Sequence, residues 1–211
     1  YCFRRHFDYE ENAPSRTRWQ HCFDYINADS SIEEVILSGG DPLALADKQL
    51  RWLLDQLESI NHVTTIRIHT RLPIVLPQRI TEALIAVLRQ RKIKLVMVIH
   101  CNHPQELCPQ SSLALNTLAA NGVVLMNQSV ILKDVNDNPD CLIELSRKLF
   151  SVSVLPYYLH LPDEVAGTAH FDVSKTKALE LLAHMQTRLP GYLVPKLVKE
   201  EAGEPSKTRI V

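Results

Sequence analysis

No apolar stretch in the 211 residues comes near the roughly 20 that a membrane-spanning helix needs, so no membrane role is expected. No secretory leader pattern opens the chain. An excess of one charge is missing too: 23 Lys and Arg face 24 Asp and Glu, for a formal net charge of -1. Nucleic-acid binding needs a basic surface to neutralise phosphates, so that class is set aside. The five cysteines, Cys2, Cys22, Cys101, Cys108 and Cys141, are odd in number and irregularly spaced. That argues against a disulfide scaffold and for a reducing, cytoplasmic setting. Low-complexity tracts, internal repeats and dividing linkers are absent. There is no opening Met: the chain begins Tyr1-Cys2-Phe3-Arg4-Arg5-His6, which reads as a segment of a longer polypeptide.

What is present is enough apolar matter for a core, 45% of residues, with an ordinary 22% charged. Strand-like runs recur about every 30 residues: 33–38, 65–69, 94–100, 123–129 and 152–160. Several are continuous in Val, Ile and Leu, as suits parallel strands buried on both faces. Helical stripes lie between them: Leu50, Leu53, Leu54 and Leu57; Ile80, Leu84, Val87 and Leu88; Leu142, Leu145 and Leu149; Leu179, Leu182 and Met185. Asp47 and Thr81 suit helix starts, and Pro109 and Pro139 suit first turns. This rhythm predicts an α/β fold of βα units on a parallel sheet, open or closed. The polar tail from Lys199 to Lys207 reads as a loop.

Polar residues collect where the strands end. They are Ser38-Gly39-Gly40-Asp41, His69-Thr70-Arg71, His100-Cys101-Asn102-His103, Asn127-Gln128-Ser129, and Tyr157, Tyr158, His160 and Asp163. Parallel α/β folds bind ligands at the carboxyl ends of their strands, so these groups predict one shared ligand face. Gly39-Gly40 would let a ligand approach the backbone, or merely make a turn. Asp41 would accept from an ammonium group or cap the next segment. His100 and Cys101 are neighbours on a strand and point to opposite faces, which disfavours a metal cluster with His103 and Cys108. Lys207, in Gly203-Glu204-Pro205-Ser206-Lys207-Thr208, would hold an aldehyde as a Schiff base or be a plain surface lysine.

Several blocks, in order along the chain, resemble the radical-SAM lysine 2,3-aminomutase family. The opening Tyr1-Cys2-Phe3-Arg4-Arg5-His6-Phe7 is similar to the end of its CxxxCxxC cluster motif. Ser38 to Leu43 resembles its SAM-contacting SGGD segment. Arg71 to Ile80, Asn127 to Val130, Val135-Asn136-Asp137, Pro156-Tyr157-Tyr158 and Gly191 through Thr208 are similar to further family blocks. The run Gly203-Glu204-Pro205-Ser206-Lys207 resembles the branch that supplies (R)-β-lysine for modifying translation elongation factor P.

The resemblance implies a parallel (β/α) partial barrel of radical-SAM type over 1–211, incomplete at the N-terminus, with 191–211 as the C-terminal pyridoxal-phosphate lysine segment. It implies three cofactors: a 4Fe–4S cluster, S-adenosyl-L-methionine and pyridoxal 5′-phosphate. Cys2 would be the last of three cluster ligands, the first two lying upstream of Tyr1. Gly39, Gly40, Asp41, His100 and Gln128 would lie against SAM, and Lys207 would hold pyridoxal phosphate. Arg4 would pair with the carboxylate of L-lysine, and Asp163 and Glu200 with its ε-ammonium. At position 200 lysine-degrading members have Asp, and at His160 they have Tyr. Implied partners are elongation factor P and its lysyl ligase, with assembly as a homo-oligomer. A cluster-lacking interaction protein, or an aminomutase for another amino acid, remains open at this point.

Overall fold

A computed structural model describes residues 16–163, 166–201, 203–204 and 206–210. Seven strands form one sheet in sequential order: β1 (Glu34–Leu37), β2 (Thr65–Thr70), β3 (Lys94–His100), β4 (Val124–Val130), β5 (Val154–His160), β6 (Lys196–Lys199) and β7 (Thr208–Arg209). Strands β1 to β6 pair in parallel; β7 returns antiparallel along β6. The sheet curls into a partial barrel, the form expected from the sequence.

The helices are α1 (Arg16–Ala28), α2 (Asp47–Glu58), the single turn α3 (Leu72–Val75), α4 (Glu82–Leu88), α5 (Pro109–Ala120), α6 (Pro139–Ser151) and α7 (Lys175–Arg188). Among the described residues no helix is long and apolar enough to cross a membrane. Leu50, Leu53, Leu54 and Leu57 of α2 are buried, as their spacing predicts. So are Leu84, Val87 and Leu88 of α4, and Leu142, Leu145 and Leu149 of α6. On α7 the buried stripe is Ala178, Leu181 and Met185, one position round from the predicted face; Leu179 and Leu182 flank it. Thr81 caps α4 through Leu84 N–H at 3.2 Å. Asp47 is the first residue of α2 rather than its cap, and it pairs with Arg79 at 2.6 Å.

Three elements carry too little pattern to be read in advance. Helix α1 has one buried residue, Phe23, set edge-on to Trp52 at 5.6 Å between ring centres. Strands β6 and β7 are four and two residues long, so their pairing comes from tertiary context.

Alternation sorts each strand into two faces. Ile66 and Ile68 of β2, Leu95, Met97 and Ile99 of β3, and Leu125 of β4 join the helices in one core. A second core gathers Leu159, Leu161 and Leu197 against Leu142, Ile143, Leu181 and Met185. Thr65, Arg67 and His69 of β2, Val96, Val98 and His100 of β3, and Gln128 of β4 take the opposite alternation, toward the concave side. At Asn127/Gln128 the β4–β5 register slips by one residue, so Asn127 faces Pro156 and Gln128 faces Tyr158.

Asn127 is polar where the alternation calls for an apolar side chain, in phase with buried Leu125. Its Oδ1 accepts from Cys101 N–H at 2.9 Å. Its Nδ2 donates to Cys101 C=O at 3.0 Å and to Ser129 Oγ at 2.8 Å. The amide closes the backbone just past β3, where the ladder to β4 ends. Cys101 follows into the core and is fully buried, which pushes its thiol up to about 12.

Asn127→Ala leaves the buried Cys101 N–H unpaired, while Cys101 C=O keeps Ser129 Oγ, and is expected to cost roughly 1–3 kcal/mol. Leu54→Ala, at a fully buried site, is expected to cost about 2–5 kcal/mol. Denaturant unfolding of each variant against the parent chain measures both.

Candidate active site

The carboxyl ends of the strands meet at one mouth, and a series of side chains ties their loops together sideways. Gly39 and Gly40 follow β1 with φ of 89° and 58°, a left-handed pair that glycine adopts without strain. Asp41 then starts a 3-10 turn, its Oδ1 accepting from Leu43 N–H at 3.0 Å. The same oxygen accepts from Thr70 Oγ1 at 2.6 Å, and Oδ2 accepts from Arg71 N–H at 2.7 Å. Asp41 therefore caps its own segment and clasps the end of β2. Arg71 reaches Glu106 at 3.3 Å. Glu106 Oε1 accepts from the N–H groups of Asn102 and His103 at 2.7 and 2.9 Å. Asn102 Oδ1 accepts from Val130 N–H at 2.9 Å. Asn136, fully buried, donates to Asn102 C=O at 2.7 Å and Val130 C=O at 2.9 Å.

Inside this belt, His100 at the end of β3 meets Gln128 on β4, with 2.9 Å between His100 Nε2 and Gln128 Nε2. The amide donates here, so the ring nitrogen accepts. Burial, then the charge of Arg71, pushes His100 down to about 4. His69 of β2 lies edge-on to it, 6.2 Å between ring centres. Gln128 Oε1 is buried and has no hydrogen-bond partner among the described residues. A buried acceptor left open beside a neutral imidazole fits a ligand that brings its own donors. The amino and hydroxyl groups of S-adenosylmethionine would meet that need.

Lys207 lies across the mouth from the β3 end. Its Nζ is ion-paired with Glu200, 3.5 Å from His160 Nε2, and 5.5 Å from the centre of the Tyr158 ring. Its side chain is 25% exposed, so the nitrogen is sheltered yet reachable. Burial, then the charge of Lys207, pushes His160 down to about 4. Tyr158 accepts from Tyr157 Oη at 3.0 Å, and burial pushes its phenol up to about 12. An amine in such a seat, with a carboxylate and a neutral base alongside, fits the carrier of an aldehyde cofactor.

Gly39, Gly40, Asp41, His100 and Gln128 lie at the carboxyl ends of β1, β3 and β4, and Lys207, just before β7, lies beside the ends of β5 and β6. Asp163 is half-buried in the loop after β5, and Glu200 directly follows β6, the parallel neighbour of β5. Cys2 and Arg4 lie outside the described residues. Sequence reasoning missed the neighbours that support these groups. Glu106 and Asn136 lie in loops whose roles depend on folding. Asn127 and Ser129, expected on the ligand face, turn instead into the core, in phase with buried Leu125, because only alternate strand residues share a face.

The two histidines make stability pH-dependent. Both are near 4 in the fold, against an ordinary 6.5. Below pH 6.5 the unfolded chain takes up protons that the folded chain refuses, so stability is full above that pH. It falls as pH drops toward 4, by on the order of 3 kcal/mol for each histidine. Denaturant midpoints at pH 7.5 and 4.5 are expected to differ accordingly, and His100→Gln is expected to shrink the difference.

No family model matches the chain. It is 51% identical over 208 residues to the L-lysine 2,3-aminomutase of Haemophilus influenzae, covering 99% of this chain and 62% of that protein. It is 49% identical to that of Escherichia coli, over 99% and 61%. The enzyme of the same name from Clostridium subterminale is 36% identical, over 100% and 51%. Among solved structures, a radical SAM methyltransferase from Sphaerobacter thermophilus superposes with a TM-score of 0.54 at 14% identity. That match covers 81% of this chain and 52% of the other, and it shows the fold alone. The chain spans about three fifths of the length of the Haemophilus and Escherichia relatives. Over the part of those proteins that it spans, the chain is homologous to L-lysine 2,3-aminomutases.

Proposed function

We propose that the chain is the larger part of a radical-SAM, pyridoxal-phosphate-dependent 2,3-aminomutase that converts L-lysine to β-lysine. The observation that carries this reading is the seat of Lys207, against Glu200, His160 and Tyr158, at the same mouth as the His100–Gln128 pair. The similarity to L-lysine 2,3-aminomutases supports it. Bound at this mouth, S-adenosylmethionine with a 4Fe–4S cluster would supply radical chemistry, and pyridoxal phosphate on Lys207 would supply an electron sink.

The protein's own residues bind, orient and exclude water. Gln128, held by His100, would offer its open Oε1 acceptor to SAM, and Gly39-Gly40 would allow close approach of the backbone. Asp41 holds those glycines in place through Thr70 and Arg71. Cys2 would complete the cluster with two cysteines from upstream. Lys207 would hold pyridoxal phosphate and give it up to the substrate α-amine. Arg4 would fork onto the substrate carboxylate. Asp163 and Glu200, at the ends of adjacent parallel strands, would take the distal ammonium. A glutamate substrate would want cations where these two acids stand. The Gly203-Glu204-Pro205-Ser206-Lys207 run supports a further part of the reading, that the β-lysine serves to modify elongation factor P.

Anaerobic reconstitution of the full-length protein with iron, sulfide, SAM and pyridoxal phosphate is expected to turn L-lysine into β-lysine; no β-lysine would defeat the reading. The bound cofactor is expected to absorb at roughly 410–430 nm, and Lys207→Ala to abolish that band. Asp163→Asn is expected to lower kcat/KM for L-lysine by at least about tenfold.

A further inference from the structure

Lys207 touches neighbours of two kinds. Glu200 lies on the exposed segment after β6, its side chain 45% exposed. His160 is 7% exposed and ends β5. Its backbone is tied on both sides: Ile131 N–H donates to His160 C=O at 2.9 Å, and Leu161 N–H donates to Val198 C=O at 3.0 Å. Tyr158 and His160 are two apart on β5, on one face, with 5.8 Å between their ring centres. Together they form a fixed, uncharged seat under the Lys207 nitrogen; Glu200 is the charged and more exposed partner.

The seat answers a conflict in the proposed reaction, on which this inference rests. When the substrate α-amine takes the aldehyde carbon, one C–N bond forms and the bond to Lys207 breaks. The two spare protons of the incoming ammonium end on Lys207, which leaves as an ammonium. Two ammonium groups, Lys207 and the distal end of the substrate, then claim Glu200. We propose that His160 is the positioning residue that receives the released Lys207 nitrogen, its ring nitrogen accepting one N–H over the face of Tyr158, so that Glu200 is free to turn to the substrate's distal ammonium. An uncharged acceptor suits this task. It holds an ammonium by one hydrogen bond and a cation–π contact without becoming a second anion in competition for the substrate. Burial keeps the imidazole neutral at working pH.

The test uses full-length protein loaded with pyridoxal phosphate, L-lysine at a fixed concentration, and no SAM, so that no turnover occurs. Borohydride then traps the cofactor where it sits, and mass spectrometry reads the ratio of pyridoxyl group on the Lys207 peptide to that on free lysine. His160→Phe, folded by far-UV circular dichroism, is expected to shift the ratio toward Lys207 by about tenfold, the worth of one charge-assisted hydrogen bond. His160→Gln, which keeps an acceptor, is expected to restore most of the parent ratio. Should the phenyl ring not fold, His160→Met fills similar space without a nitrogen acceptor and gives the same comparison. A parent ratio in the apolar variant, or an equal shift in His160→Gln, overturns the inference while leaving the cofactor reading intact. No trapped group on Lys207 in the parent protein overturns both.

Discussion

Asp41 gives both carboxylate oxygens to its own turn and to the end of β2, and the mouth of the barrel hangs from that clasp. Parallel strands have no hairpins at their carboxyl ends, so neighbouring mouth loops need sideways ties. A carboxylate is well suited, because bonds to an ionised acceptor are roughly twice as strong as neutral ones. The tie is passed on by Arg71 to Glu106, by Glu106 to the 102–103 backbone, and by Asn102 and Asn136 to Val130. Each later partner is placed by the one before it. Gly39 and Gly40 have no side chains to anchor them, so their position depends on the aspartate that follows.

The two faces of the sheet do opposite work. The convex face is apolar and packed by helices, apart from Thr70, which bonds Asp41, and Asn127 and Ser129, which satisfy backbone groups and each other. The concave face carries the charged and titratable groups. Burial at the mouth strips His100 and His160 of charge, so both act as neutral acceptors where an exposed histidine would be partly cationic. Among the described residues, Lys207 and Arg71 are cations at the mouth, opposed by Asp41, Glu106, Asp163 and Glu200.

Much of this was legible before folding, for identifiable reasons. Strands β2 to β5 are long and apolar enough to announce themselves, and the stripes on α2, α4 and α6 follow the helical period. The shared mouth followed from polar residues at successive strand ends. The rest depends on distance in sequence. Lys207 and His160 are 47 residues apart, and Thr70 and Asp41 are 29 apart; no local pattern couples either pair. Asp41 could be read as cap or ligand because its partners come from another strand. The roles of Lys207, Asp163 and Glu200 came from family resemblance, since a lysine or an acid in a loop has no distinctive local chemistry.

The antiparallel return of β7 has its own consequence. It is held to β6 through two residue pairs, Val198 with Arg209 and Lys199 with Thr208, and by buried Ile210, whose N–H donates to Leu197 C=O at 2.9 Å, whereas β2 to β5 share longer ladders. A short ladder at a sheet edge opens at a small fraction of the free energy that global unfolding costs. The β6–β7 pairing is therefore expected to open before the parallel ladders do. Amide exchange would divide the molecule the same way, fast along the last hairpin and slow through β2 to β5. Lys207 thus sits beside a shorter ladder than the strands that carry His69, His100 and Gln128.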